Sequence, residues 1–364
     1  MKKGLFSMFM GGMMLFSCVQ AQEKSTNQTL FPPTDPNIQY IGRIDFSDSL
    51  HPVFTYPGVQ IRTGFTGTSL SMMCKQQSGY FMVEIDDGEA KKVSFLDNTV
   101  VDLASNLEDG THQAVITYVT EGYERLPEFH GFFVDKGKTL APATQMPTRK
   151  IEFIGNSITC GYGIEAKSPN ETYLDETANY YYSYAARTAR TLNAQAVVVA
   201  RSGIGVYRCY NGPQTGDAVN MNTEYPYTLL YNNKKEWDFS LYTPDVVCIN
   251  FGTNDTSTQG ADSLLLLQGF KRLYQQVRKH YPKAKIVLLS GTMMTGKALL
   301  SAQQAMNVTR NYAHQQGDHE VYRFDFPPQD GSLGIGLHGH PTMRQHEKMA
   351  NELTSYLREL MQWK

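Results

Sequence analysis

Ile151-Glu152-Phe153-Ile154-Gly155-Asn156-Ser157-Ile158-Thr159-Cys160-Gly161-Tyr162-Gly163 is the stretch on which the fold turns. Its first four residues are mostly apolar and predict a buried strand. Gly-Asn-Ser then breaks the strand, and glycines follow at 161 and 163. Ligands of α/β sheets bind beyond the C-terminal ends of the strands, so a serine at that mouth is a candidate nucleophile. The flanking glycines permit a sharp bend and leave backbone N–H groups near Ser157 free to face a ligand. A plain strand-to-helix turn would have the same letters, and the rest of the chain decides between the two.

From Arg149 onward strand and helix patterns alternate. Apolar runs at 151–154, 196–200, 246–251, 286–290 and 321–324 predict strands, and stretches at 177–192, 263–280, 299–315 and 342–361 predict helices. In the second helix Leu266, Phe270, Leu273 and Val277 share a face. In the last, Met349, Leu353, Leu357 and Leu360 form a stripe suited to core packing. Such alternation implies a parallel sheet covered on both faces. Ser157, Arg201-Ser202-Gly203-Ile204-Gly205 and Phe251-Gly252-Thr253-Asn254-Asp255 follow strands, and Gly339-His340-Pro341 precedes the last helix. All four segments converge on one edge of that sheet.

Before Arg149 the pattern is β. Short runs at 38–46, 59–65, 69–73, 80–85, 92–95, 113–119 and 129–134 are separated by turn residues such as Gly67, Asp86-Asp87-Gly88 and Asp109-Gly110. Seven or more such strands predict a β-sandwich, a jelly roll by preference, over residues 38–136. Residues 137–148, with Pro142 and Pro147, form the expected linker to an α/β domain at 149–364. Residues 22–37 are expected to be a polar leader, and 1–21 a signal peptide with Lys2 and Lys3 ahead of a short apolar segment. Val19-Gln20-Ala21 suits an ordinary signal peptidase. Leu15-Phe16-Ser17-Cys18 is the competing lipobox, with Phe16 out of character, so Cys18 lipidation stands as the alternative to simple secretion. Either way the mature chain is expected outside the cytoplasm.

A length of 364 residues and a hydrophobic content of 41% support two cores. The net charge of −2 points away from a nucleic-acid partner. Cys74, Cys160, Cys209 and Cys248 are too few for a disulfide scaffold and lack metal-ligand spacing. The 22 tyrosines and 18 phenylalanines suit either sugar stacking or a tyrosine-rich β core.

The order Gly-x-Ser, Gly, Gly-x-Asn-Asp and His-Pro resembles the four blocks of the SGNH (GDSL-like) hydrolase superfamily. Longer strings resemble carbohydrate esterase family 2: Gly155 to Gly163, Tyr207-Arg208-Cys209-Tyr210-Asn211-Gly212, Tyr225 to Tyr231 with Glu236-Trp237-Asp238-Phe239, and His340-Pro341 with His346 to Ala350. The resemblance covers nearly all the mature chain. It implies a jelly-roll domain joined to a three-layer SGNH α/β domain, and removal of acetyl groups from plant polysaccharides or oligosaccharides without metal or organic cofactor. Ser157 would be the nucleophile and His340 its base. The backbone N–H groups of Ser157 and Gly205 and the Asn254 amide would bind the oxyanion, each such donor being worth roughly 3–4 kcal/mol in a transition state. Gly203 is the rival for Gly205, because the block is short. Tyr162 is expected to face substrate. Tyr207 and Tyr210 lie near, and Trp237 could be a stacking platform or a core plug.

Two departures from the family pattern stand out. Asn156 replaces the usual acid before the serine, which keeps size and hydrogen-bonding capacity. The triad acid usually sits two or three residues before the histidine, but His338 and Leu337 occupy those places. A Ser-His dyad is therefore expected, with a backbone carbonyl near Leu337 or His338 accepting from His340 Nδ1–H. Asp325 or Asp330, or the His338 ring, are the alternatives. Without a carboxylate, His340 lacks the usual cause of a raised pKa, so activity is expected to persist to lower pH. His346 is expected to pack. Two rival functions remain: an SGNH esterase for another acyl ester, and a glycan-binding protein with a decayed centre. Retention of Ser157, Asn254 and His340 together argues against decay.

Overall fold

A computed structural model of the chain describes residues 27–364. The expected signal peptide and the Cys18 alternative lie outside the described residues. The first half is built from strands β1 (Gln28–Phe31), β2 (Gln39–Ile41), β3 (Gln60–Gly67), β4 (Leu70–Cys74), β5 (Tyr80–Ile85), β6 (Lys91–Ser94), β7 (Val100–Ala104), β8 (Gly110–Tyr118), β9 (Phe129–Asp135) and β10 (Leu140–Ala141). One sheet has the order β1-β9-β4-β7, and the other runs β10-β3-β8-β5-β6 with β2 beside β3. Strands 1-9-4-7 facing 3-8-5-6 make a jelly roll. Its core follows from alternation: Ala114, Ile116 and Tyr118 of β8 pack with Phe81, Leu70, Met72 and Phe132.

Edge strands depart from the expectation. β1 falls within the stretch taken as a leader, and pairs antiparallel with β9. β10 falls within the expected linker and pairs with β3 at Phe65 and Gly64. The run expected at 38–46 is a strand only at Gln39–Ile41, continued by an isolated bridge from Asp45 to Val53. β7 was not expected, since Asp102 interrupts its apolar residues. Asp102 instead accepts from Ser71 Oγ at 2.6 Å.

The second half carries β11 (Arg149–Gly155), β12 (Ala194–Ala200), the hairpin β13 (Tyr227–Leu229) and β14 (Asn232–Glu236), then β15 (Val246–Phe251), β16 (Lys285–Ser290) and β17 (Val321–Asp325). β12-β11-β15-β16-β17 form one parallel sheet. The five strands are the five the sequence marks. In chain order they lie 2-1-3-4-5, so the order reverses between β11 and β15, where such sheets open a ligand crevice. Ser157 follows β11 and Asn254 follows β15.

Helices cover both faces, as expected. Ile249, Phe251 and Leu288 pack under helices Ser263–His280 and Gly296–Gln315, the first of them capped by Asp262. Cys248, Val287 and Leu289 pack on the other face under Met349, Leu353 and Leu357 of helix Met343–Met361. The helix expected over 177–192 forms only at Tyr184–Thr191, behind two 3₁₀ turns at Asp175–Thr177 and Tyr180–Tyr182. The cause is tertiary: Tyr180 N–H donates to the Val119 carbonyl of the sandwich at 3.0 Å, and Asn179 Oδ1 accepts from Tyr181 N–H at 3.1 Å. Those amides are spent outside the helix.

The two domains share their interior. Met82 and Val119 of the sandwich join the core under one sheet face, and Tyr56 joins the other.

Candidate active site

The serine turn is built locally. Gly155 has no room for a side chain, since a Cβ there would meet Thr159 Oγ1 at 2.1 Å. Asn156 caps the single helical turn Ser157–Cys160, its Oδ1 accepting from Ile158 N–H at 3.1 Å. Asn is among the strongest N-cap residues, so the departure at this position has a structural use. Gly161, at φ 75°, closes the turn in the left-handed region. Ser157 stands at its start with its hydroxyl toward a cavity of about 560 Å³ that Tyr162, Gly203, Asn254, Tyr210 and His340 also line.

The structure brings Ser157 and His340 together, with His340 Nε2 2.9 Å from Ser157 Oγ. His340 Nδ1 lies 2.9 Å from the Leu337 carbonyl. A carbonyl only accepts, so Nδ1 carries the proton and Nε2 is left as an acceptor for the serine hydroxyl. The carbonyl expected near Leu337 or His338 is thus that of Leu337. Asp325 is held by Arg323 Nε at 2.9 Å, and Asp330 accepts from Ser332 N–H at 2.9 Å, so neither orients the imidazole. The His338 ring lies elsewhere, its Nδ1 2.9 Å from Tyr162 Oη.

A tight backbone loop aims that carbonyl. His338 is left-handed at φ 50°, ψ 35°, and Gly339 follows at φ 81°. A histidine held there is strained and persists only where its surroundings fix it. They do: His338 N–H donates to Pro169 carbonyl at 2.8 Å and Gln329 Nε2 to Gly339 carbonyl at 2.6 Å. Tyr162 completes the wall, stacked on Tyr173 at 4.4 Å and facing the His340 ring at 4.4 Å. Burial pushes His340 down to about 4; the Leu337 carbonyl opposes this and His338 adds to it.

Of the expected oxyanion donors, Asn254 is buried beside Ser157 on the cavity wall, one amide hydrogen going to the Ile204 carbonyl at 2.8 Å. The second hydrogen is left to the cavity. No backbone carbonyl among the described residues takes the Ser157 N–H. Gly205 does not fit its expected place. Its amide lies against the Cys209 sulfur, its carbonyl accepts from Met221 N–H at 2.9 Å, and a Cβ there would be 2.0 Å from the Arg208 carbonyl. Its rival Gly203 lines the cavity instead, at φ 82°, with its carbonyl accepting from Tyr210 N–H at 2.8 Å. The two glycines are two residues apart, and letters alone did not separate them.

Asp255 ties these blocks together. It is fully buried and accepts from Tyr207 N–H at 3.0 Å and Gly252 N–H at 3.2 Å, while burial raises its carboxyl to about 6. Tyr210 is exposed at the cavity mouth, whereas Tyr207 is buried and accepts from Asp262 N–H at 3.0 Å. Trp237 is a core residue, stacked near the Arg43 guanidinium. His346 is buried and accepts from Tyr184 N–H at 3.1 Å, in keeping with packing. Sequence reading gave Ser202 no role beyond its place in the glycine block, and missed Glu121 at the edge of the site and Met293 on its wall. Ser202 stood beside a singled-out glycine; Glu121 and Met293 carried no local signal.

Comparison with known proteins places this geometry. Residues 40–143 match the carbohydrate esterase 2 N-terminal domain, and residues 153–348 match the GDSL-like lipase/acylhydrolase family. The chain is 39% identical over 331 residues to the cellulase/esterase CelE of Acetivibrio thermocellus, which covers 90% of this chain but only 40% of that protein. It is 29% identical over 362 residues to an acetylxylan esterase / glucomannan deacetylase of Cellvibrio japonicus, covering 97% of each. A family two carbohydrate esterase from Clostridium thermocellum, solved in complex with cellohexaose, superposes with a TM-score of 0.84 at 38% identity, over 90% of this chain and 100% of that one.

Proposed function

The chain belongs to carbohydrate esterase family 2, and we propose that it is an exported serine esterase removing O-acetyl groups from plant-type polysaccharides or oligosaccharides. The observation that carries this reading is the relay Leu337 carbonyl–His340–Ser157, with 2.9 Å at each step, opening on a cavity that Gly203 and Asn254 also line. Ser157 Oγ attacks the acetyl carbon as its proton passes to His340 Nε2. The carbonyl oxygen, now negative, is met by the N–H groups of Ser157 and Gly203 and by the Asn254 amide. The C–O bond to the sugar then breaks as His340 gives its proton to the departing sugar oxygen, releasing the sugar hydroxyl and leaving acetyl-Ser157. A water repeats the sequence and releases acetate.

The Leu337 carbonyl fixes the tautomer, as a triad carboxylate would, but supplies a dipole in place of a full charge to the imidazolium. The names of relatives support the substrate: an acetylxylan esterase / glucomannan deacetylase, and an esterase solved with cellohexaose. The exposed Tyr210 and the Tyr162–Tyr173 stack offer ring faces suited to pyranose contact.

The test is acetate release from an acetylated oligosaccharide and from an aryl acetate. Ser157→Ala and His340→Ala are each expected to lower kcat by about 10³-fold or more. A folded wild type that releases acetate from neither substrate, yet binds acetylated glycan, would instead mark a glycan-binding protein.

A further inference from the structure

The oxyanion donor Gly203 is held from both sides. Behind it, Tyr210 N–H fixes its carbonyl at 2.8 Å. Ahead of it stands Ser202, whose backbone N–H and hydroxyl are both taken by a carboxylate of the other domain. Glu121 reaches across the boundary, its Oε2 accepting from Ser202 N–H at 2.7 Å and its Oε1 accepting from the Ser202 hydroxyl. Ser202 is therefore gripped at backbone and side chain by one carboxylate.

That carboxylate is rigidly based. It follows β8, where Val119 N–H donates to the Tyr80 carbonyl at 3.1 Å and the Val119 carbonyl accepts from Tyr180 N–H at 3.0 Å. On its other side Gly122 N–H donates to the Thr55 carbonyl at 2.8 Å. Glu121 is half-buried, and burial pushes its carboxyl up, against the pull of the Ser202 hydrogen bonds and the Arg201 charge. Cys160, which ends the helical turn begun by Ser157, lies against the same Ser202–Glu121 pair. One side chain of the jelly roll thus touches the supports of both the nucleophile and the oxyanion donor. A surface hydrogen bond that merely joins domains would need none of this.

We propose that Glu121 is a positioning residue for the oxyanion hole: by clamping Ser202 it aims the Gly203 N–H, which makes the jelly-roll domain a working part of the catalytic centre. The proposal rests on the esterase reading above. A misaimed donor costs transition-state binding and leaves ground-state binding nearly intact.

The test uses the full chain, an aryl acetate and phenylboronic acid, whose tetrahedral adduct on Ser157 places an oxygen in the oxyanion hole. Glu121→Ala is expected to lower kcat by about 10–100-fold with KM within about threefold, and to weaken the boronate in parallel. Glu121→Gln is expected to stay within about threefold of wild type, because its Oε1 still accepts from Ser202 N–H and its amide can donate to the Ser202 hydroxyl. Ser202→Ala removes only the hydroxyl and is expected to fall between them; it carries the test if Glu121→Ala does not fold. Wild-type kcat in both Glu121→Ala and Ser202→Ala would overturn the proposal, as would a loss of kcat with boronate affinity unchanged. A wild type inert toward aryl acetate and acetylated oligosaccharide alike would overturn the esterase reading, and this one with it.

Discussion

Histidine bases differ by what holds their second nitrogen. His340 leans on the Leu337 carbonyl, and burial pushes it down to about 4. The catalytically useful form is neutral, so a lowered pKa keeps the base available as pH falls. The acid limb of kcat/KM is therefore expected well below the ordinary histidine value of about 6.5, with activity sustained through about pH 5. A pH–rate profile on an aryl acetate checks this, and a limb above about pH 7.5 would demand a carboxylate partner that the geometry does not provide. The same residue shows what sequence can and cannot carry. Ser157, Asn254 and His340 were legible because their chemistry lies in their side chains. The Leu337 carbonyl was legible only as a gap where an acid should stand, since any residue has a carbonyl. Gly203 was left as a rival to Gly205 because a backbone N–H is aimed by φ and by neighbours, and both glycines share one letter.

At the level of elements, the sequence was clearest where burial is symmetric. The central strands of the parallel sheet are covered on both faces, so they appear as mostly apolar runs, interrupted at Glu152 and Asn250. The edges β1, β7 and β10 take their structure from a neighbour's hydrogen bonds, which leaves little mark in their own residues. The helix cut short before Tyr184 failed for a related reason: Tyr180 N–H is claimed by Val119 in the other domain. Loops at the site are held the same way, by a buried acceptor. Asp255 Oδ1 takes Tyr207 N–H and Oδ2 takes Gly252 N–H. Asp255→Asn would turn an amide hydrogen toward one of those donors and leave it unpaired, at a cost of about 1–3 kcal/mol. Because Gly252 leads to Asn254 and Tyr207 follows the Gly203 block, kcat on an aryl acetate is expected to fall by about tenfold or more. Thermal melting and kinetics on the same preparation check both. Unchanged kcat in a destabilised variant would confine Asp255 to folding.

Across the whole molecule the domain boundary is a core and not a hinge. Arg43 leaves the jelly roll and is wholly buried in the α/β domain, its guanidinium 3.3 Å from Glu152 Oε1 and 2.9 Å from the Tyr227 carbonyl. The Tyr225 hydroxyl donates to the other Glu152 oxygen at 2.8 Å. Glu152 lies on β11, three residues before Gly155 and the serine turn, so the ion pair locks the sandwich to the strand that carries the nucleophile. A buried pair adds little over an apolar replacement, but removing one partner strands the other charge, at about 3–5 kcal/mol. Arg43→Met is thus expected to lower Tm by roughly 5–10 °C. Arg43→Met with Glu152→Gln should recover more than half of that loss, because the stranded charge is gone while Tyr225 keeps an acceptor. Calorimetry should show one endotherm for the wild type, since Met82, Val119 and Tyr56 place side chains of the first domain in the cores of the second. Two endotherms, or an Arg43→Met variant as stable as wild type, would mean that the domains fold independently. The Glu121 clamp would then have to hold its geometry across a loose joint, where a carboxylate fixed on one body could no longer set a backbone amide on the other.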